Sequence, residues 1–194
     1  MPIGPGGLDS NGIWQFGEDD SEALASDLLN LGMGSVSTAI STLGGVLQVV
    51  STTKTDTFST TSTSYVDVTG LAATITPASA TNKIQVTVSV PFGNSGTGQS
   101  VILLRDGDNN SILTPDSPGS RTPSFLSSKA QDTNALLAAS FTFLHSPSVT
   151  APFTYKVSCR ADGSTFFVNR SGADSNVAQI GRGVATIILM EVAG

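Results

Sequence analysis

The chain has 194 residues, of which 39% are apolar and 12% charged, and its net charge is -6. That balance suits a globular domain of about 150 residues with an extension, and it excludes wholesale disorder. The acidic total excludes the basic footprint of a nucleic-acid binder, and no run of about 18 apolar residues offers a membrane-crossing helix.

The charge is unevenly placed. Asp9, Glu18, Asp19, Asp20, Glu22 and Asp27 all fall within the first 44 residues, which contain no Lys or Arg. The other 150 residues carry nine acids and nine bases and are therefore neutral. Residues 1–17 hold Pro2, Pro5 and five glycines around Ile13, Trp14 and Phe16. Such a stretch reads as an extended arm that orders on a partner through its aromatic anchors. Asp19 with Glu22 three residues later fits a helix start, and Leu24, Leu28 and Leu31 then share one helical face. A second short periodic piece carries Val36, Ile40 and Leu43. Both pieces are too short to stand alone in water, so they need a partner. Residues 1–44 are thus expected to be an attachment arm with short helices. Its docking residues would be Ile13, Trp14, Phe16, Glu18, Asp19, Asp20, Leu24 and Leu28.

From Val46 the hydrophobic period changes from 3.6 to 2. Ile84, Val86, Val88, Val90 and Phe92 alternate with polar residues or Pro91, and Phe153, Tyr155, Val157 and Cys159 repeat the pattern. Further strands are expected at 46–51, 55–59, 64–68, 71–76, 100–105, 137–145, 164–169 and 184–192. Turn residues separate them at 69–70, 93–98, 106–110, 117–120 and 162–163. Strands without intervening helices read as an antiparallel β-sandwich or jelly-roll-like domain over 45–194. Aromatics are scarce at 6%, so its core must rest on branched aliphatics. Two strands, 101–104 and 187–190, are apolar on both faces, and a neighbouring subunit is one candidate to cover the second face. Residues 51–64 hold eleven Ser or Thr and read as edge strands.

Few residues offer chemistry. His145, the single histidine, follows Phe141 and Phe143 on one strand face and reads as a strand-end side chain. Cys159, the single cysteine, reads as a buried filler. Residues 106–110 open like a calcium loop, but Ser111 and Ser117 stand where an EF-hand needs Gly and Glu, so the segment reads as a turn. No catalytic pair, metal site or cofactor motif stands out, and an enzyme is not expected. The segment 106–128, with Asp106, Asp108, Arg121 and Phe125, is the candidate for a receptor-facing or glycan-binding loop.

Two sets of residues resemble the small structural proteins of tailed bacteriophages, described as minor tail or tail-fibre-like proteins. Residues 11–20 (NGIWQFGEDD) running into 26–30 (SDLLN) look like their N-terminal attachment segment. Residues 46–50 (VLQVV), 60–70 (TTSTSYVDVTG), 119–122 (GSRT), 155–157 (YKV) and 168–171 (VNRS) look like their β-rich domain. The resemblance implies a non-enzymatic component of the virion exterior, often a trimer, that docks on other virion proteins. Capsid decoration protein or head fibre is the alternative placement. A host-receptor or carbohydrate-binding module is the alternative of another class.

Overall fold

The computed structural model describes residues 7–8, 14–15, 45–96, 98–116, 119–128 and 132–194. The chain divides into two compact units, Met1–Gly45 and Val46–Gly194. In the first, β1 (Gly7–Leu8) pairs antiparallel with β2 (Trp14–Gln15). The two short helices expected from the leucine spacing lie outside the described residues. No helix occurs among the described ones, and none is long and apolar enough to cross a membrane.

The described residues of the second unit form eleven strands in two antiparallel sheets. The larger sheet forms around β6 (Lys83–Ser95). One edge of β6 pairs with β10 (Leu137–His145). The other edge takes β13 (Ala185–Val192) and β12 (Thr165–Val168) end to end. Outside these two lie β3 (Val46–Lys54) and β4 (Phe58–Thr60). The smaller sheet orders β5 (Val66–Ile75), β11 (Phe153–Asp162) and β7 (Gln99–Asp106). Two short strands, β8 (Ser111–Ile112) and β9 (Leu126–Ser128), share the outer edge of β7. The inward side chains of both sheets form one core, in which Ile84, Val86, Val88, Val90 and Phe92 meet Leu71, Ile75, Ile102, Leu104, Tyr155 and Val157. Two sheets sharing one core in this way make a β-sandwich.

Several boundaries differ from the turn signals. Thr69-Gly70 does not end a strand: β5 continues through a bulge, where Gly70 adopts φ +81° and two residues of β11 face a longer run of β5. Strand β6 likewise passes the expected break and ends only at Ser95. Gly93 serves close approach here, since an added Cβ would lie 2.7 Å from the Arg170 carbonyl oxygen. Pro91, in the middle of this strand, falls between the stretches paired to β13 and β12. Its carbonyl accepts from Asn169 N, so its missing N–H faces that gap and no ladder bond is lost. The Asn169 side chain, part of a glycosylation-like triplet, is buried and donates to the carbonyls of Lys54 and Asp56.

The second face of strand 101–104 is covered within the unit. Tyr65 lies between two guanidinium groups, those of Arg105 (4.9 Å from ring centroid to Cζ) and Arg160 (5.6 Å). Ser158 and Leu103 occupy the register between those arginines, and Leu103 is only 4% exposed. Arg160 also reaches the Thr122 hydroxyl and the Thr63 carbonyl, which holds the following segment on the same side. No subunit is needed there. On the other sheet the second face of 187–190 stays more open: Ile188 and Met190 are half-buried, beside exposed Val49.

Opposite edges of the sandwich are unlike. At one, β3 runs beside β5, and Gln48 Nε2 and Thr52 Oγ1 donate to the carbonyls of Thr76 (2.8 Å) and Ala72 (2.7 Å). Glu191, with no exposed surface, anchors this closure. Its carboxylate accepts from Asn82 Nδ2 (2.6 Å), Ala78 N (2.7 Å) and Gln48 Nε2. Burial pushes its pKa up, but these donors together outweigh burial and hold it below the ordinary 4.5. A carboxyl lowered on folding contributes stability above its unfolded value and loses it as the pH falls through the folded one. Glu191→Gln turns an amide NH2 toward a donor, and should cost about 2 kcal/mol at neutral pH. Urea unfolding of both proteins from pH 7 to 3 checks this: the gap should narrow below pH 4.5.

Candidate functional site

The other edge is open, and aromatic side chains collect there. Among the described residues strand β10 has a partner on one side only, and its inward residues Phe141, Phe143 and His145 are half-buried where those of β6 are fully buried. Residues 146–152 carry the chain from the larger sheet to the smaller, which brings Phe153 and Tyr155 of β11 against His145. Ring centroids separate Phe141 and Phe143 by 6.0 Å, Phe143 and His145 by 6.2 Å, and His145 and Phe153 by 5.7 Å. Phe125 extends the row, with its ring on Phe141.

At the end of this row lies an open cleft of about 480 Å³. Phe143, His145 and Phe153 are its aromatic lining, together with Ile112, Leu113, Asp106 and Ser111. His145 Nδ1 is 2.8 Å from the Tyr155 hydroxyl. Tyr155 is fully buried and its hydroxyl has no other acceptor among the described residues, so donation to Nδ1 is the arrangement that satisfies its proton, and it places the imidazole proton on Nε2. Burial pushes the His145 pKa below 6.5, and the Asp106 charge opposes this only partly, so the ring is neutral at pH 7. Burial also raises the Tyr155 pKa well above its usual value. The cleft therefore offers aromatic faces, one imidazole N–H and a few hydroxyls. No serine hydroxyl bonds to His145 among the described residues, and its Nδ1 faces a phenol, unlike the acid-oriented base of a hydrolytic triad.

The candidate loop residues separate in the structure. Asp106 faces the cleft by its register opposite Tyr155, but its carboxylate is engaged in the turn. Oδ1 accepts from Asp108 N and Asn110 N, and Oδ2 from Asn110 Nδ2, which is an Asx-turn rather than a cation cage. Lys156 fastens that turn by donating to Asn109 Oδ1 at 2.7 Å. Asp108 and Arg121 are exposed and take no part in the cleft, whereas Phe125 belongs to the aromatic row. Among the described residues no three His, Cys, Asp or Glu side chains are grouped to hold a metal. The Cys159 thiol is fully buried, and burial with the nearby Asp67 charge pushes its pKa up to about 12, which leaves it unreactive. Of the arm residues, Trp14 lies in β2 opposite Leu8, and the other proposed docking residues lie outside the described ones.

Reading the sequence missed Phe143, Phe153 and Tyr155 and set His145 aside. The signal was present as alternate aromatics on two successive strands, 141–145 and 153–155, with a short link between them. What it lacked was the crossing between sheets that turns the two aromatic runs toward each other.

No known protein family matches the chain, and no curated protein does. Among solved structures it is similar to a VP2 subviral particle of infectious bursal disease virus, at 14% identity and a TM-score of 0.38 over 75% of this chain and 39% of that one. It is also similar to a structure of the Gt strain of that virus, at 15% identity and a TM-score of 0.35 over 98% and 45% of the two chains. The chain thus spans less than half the length of the proteins it resembles.

The single histidine makes the cleft directly observable. Its imidazole should titrate below 6.5, and Asp106→Asn should lower the midpoint further by removing an attractive charge. A histidine lowered on folding stabilises above its unfolded pKa, and that contribution is lost as the pH falls through the folded value. Nitrogen chemical shifts should show Nε2 protonated in the wild type, and this tautomer preference should weaken in Tyr155→Phe.

Proposed function

We propose that the protein is a non-enzymatic structural component of a virion, displayed on the particle exterior. Residues 1–44 hold it on another virion protein, and the sandwich projects outward. A minor tail or tail-fibre-like role is favoured over capsid decoration protein or head fibre, because residues 11–20 resemble the attachment segment of tail proteins. The observation that carries the reading is the segregation of charge. All six surplus acids lie in the leader, whereas the rows across the outer face of β3, β13, β6 and β10 hold one charged side chain, Lys83. An acidic segment suits docking on a basic surface, and a neutral sandwich suits close repetition without self-repulsion.

Two experiments test it. Trp14→Ala should abolish incorporation into particles without lowering the melting temperature of the sandwich. Asp20→Asn with Asp27→Asn should slow association and flatten its salt dependence, and unchanged incorporation in both cases refutes the docking role.

The same reading includes a homo-oligomer, with a trimer as the order that the phage resemblance implies. Val49, Met190, Gln85 and Leu144 form one row across the outer face, and Ser51, Ile188, Thr87 and Thr142 the next. Val49 and Leu144 are 57% and 51% exposed, so the patch favours a second copy as its cover. Val49→Asp with Leu144→Lys should shift sedimentation from oligomer to monomer and leave the strand signal in circular dichroism intact. A wild-type monomer at micromolar concentration rules the oligomer out.

A further inference from the structure

We propose that the cleft beside β10 binds one neutral sugar ring of a glycan. The inference deepens the carbohydrate-binding alternative and does not depend on the virion role. A pyranose presents a flat C–H face and a rim of hydroxyls. The cleft offers the complement: the half-buried rings of Phe143 and Phe153, with His145 between them, and polar groups at the edge. The Tyr155 hydroxyl fixes the imidazole so that Nε2–H is left to donate, while Ser111 and Ser146 can donate or accept. Its volume of about 480 Å³ lies within the usual range of small-ligand sites.

The electrostatics select among sugars. The imidazole is neutral at pH 7, and among the described residues the one charged side chain lining the cleft is Asp106, whose sign repels acidic sugars. The backbone beside the cleft is also held in a costly shape. Leu113, 48% exposed at the rim, adopts φ +55°, and Ser148, beside Pro147 of the lining, does the same. Left-handed backbone at a leucine is unfavourable, and such strain collects where a surface is kept in shape for a ligand.

Titration of the full-length protein with methyl glucoside, methyl galactoside and N-acetylglucosamine, followed by the His145 imidazole resonances, tests this. One of the three should give a saturable shift with a dissociation constant on the order of 1 mM, typical of so small a ligand. Glucuronate should bind at least about tenfold more weakly if the Asp106 charge acts on it. Phe143→Leu and Phe153→Leu keep apolar volume but remove the flat faces, and each should weaken binding about tenfold while the circular dichroism stays unchanged. Val184→Ser, at an exposed position outside the cleft, should bind as the wild type does. Absence of a saturable shift with all three sugars overturns the proposal, as do leucine variants that fold and bind normally. A response to a short Val-Thr-Val peptide with none to sugars also overturns it, and assigns the cleft to strand addition along β10. None of these results bears on incorporation into particles, so the two readings fail separately.

Discussion

Side chains of β3 donate to the carbonyls of Ala72 in β5 and of Thr76 just after it, and the sandwich is closed along that edge. Gln48 and Thr52 reach across to Thr76 and Ala72, and Glu191 draws Gln48, Asn82 and Ala78 N into the same knot. A sheet edge normally exposes a row of unmet donors and acceptors. Here the side chains meet some of them, without a continuous backbone ladder that would fuse the two sheets. The far edges have no equivalent. Among the described residues strand β10 lies alone on its side of β6, and β7 carries only the two- and three-residue strands β8 and β9. Half-burial of the aromatic row follows from that asymmetry.

The unusual feature of the smaller sheet is a strand that is apolar on both faces yet needs no partner. Val101 and Leu103 are 3% and 4% exposed. The Tyr65 ring and its two flanking guanidinium groups lie on their side, and stacking of this kind is worth about 0.5–2 kcal/mol per cation. The stack leaves the Tyr65 hydroxyl and both arginine Nε–H groups buried without a hydrogen-bond partner among the described residues. Burial raises the Tyr65 pKa, while the two arginines pull the other way. This cover therefore gives up hydrogen bonds to gain shielding of aliphatic surface. The larger sheet lacks such a cover over Val49 and Leu144, and the two outer faces are chemically distinct for that reason.

Period-2 alternation made the central strands legible, because β6 and β11 each bury one face and the pleat writes that onto the sequence. It failed where glycine had two meanings. Gly70 marks a bulge inside β5 and Gly93 a close approach inside β6, but from sequence both look like turns. Of the expected break, Gly96, at φ +89°, and Gly98 lie in the connection between β6 and β7. The turn at 106–110 was legible because Asp and Asn side chains bond locally to the backbone, which needs no tertiary information. The cleft was hidden because it depends on β10 and β11 belonging to different sheets. His145 and Tyr155 are ten residues apart, and no local pattern says that their side chains meet.

The conformation of Leu113 bears on how the cleft keeps its shape. A leucine in the left-handed region costs about 1 kcal/mol or more, and its side chain, 48% exposed, recovers little of this by burial. The restraint must come from its neighbours. Ile112 is buried and paired to Leu104, so β8 fixes the chain immediately before Leu113. The Asx-turn at Asp106, held to β11 by Lys156, fixes the segment before β8. Two ordinary devices, one strand pair and one turn, thus hold an unfavourable residue at the rim, and the rim is set by local backbone bonding rather than by contacts across the open edge.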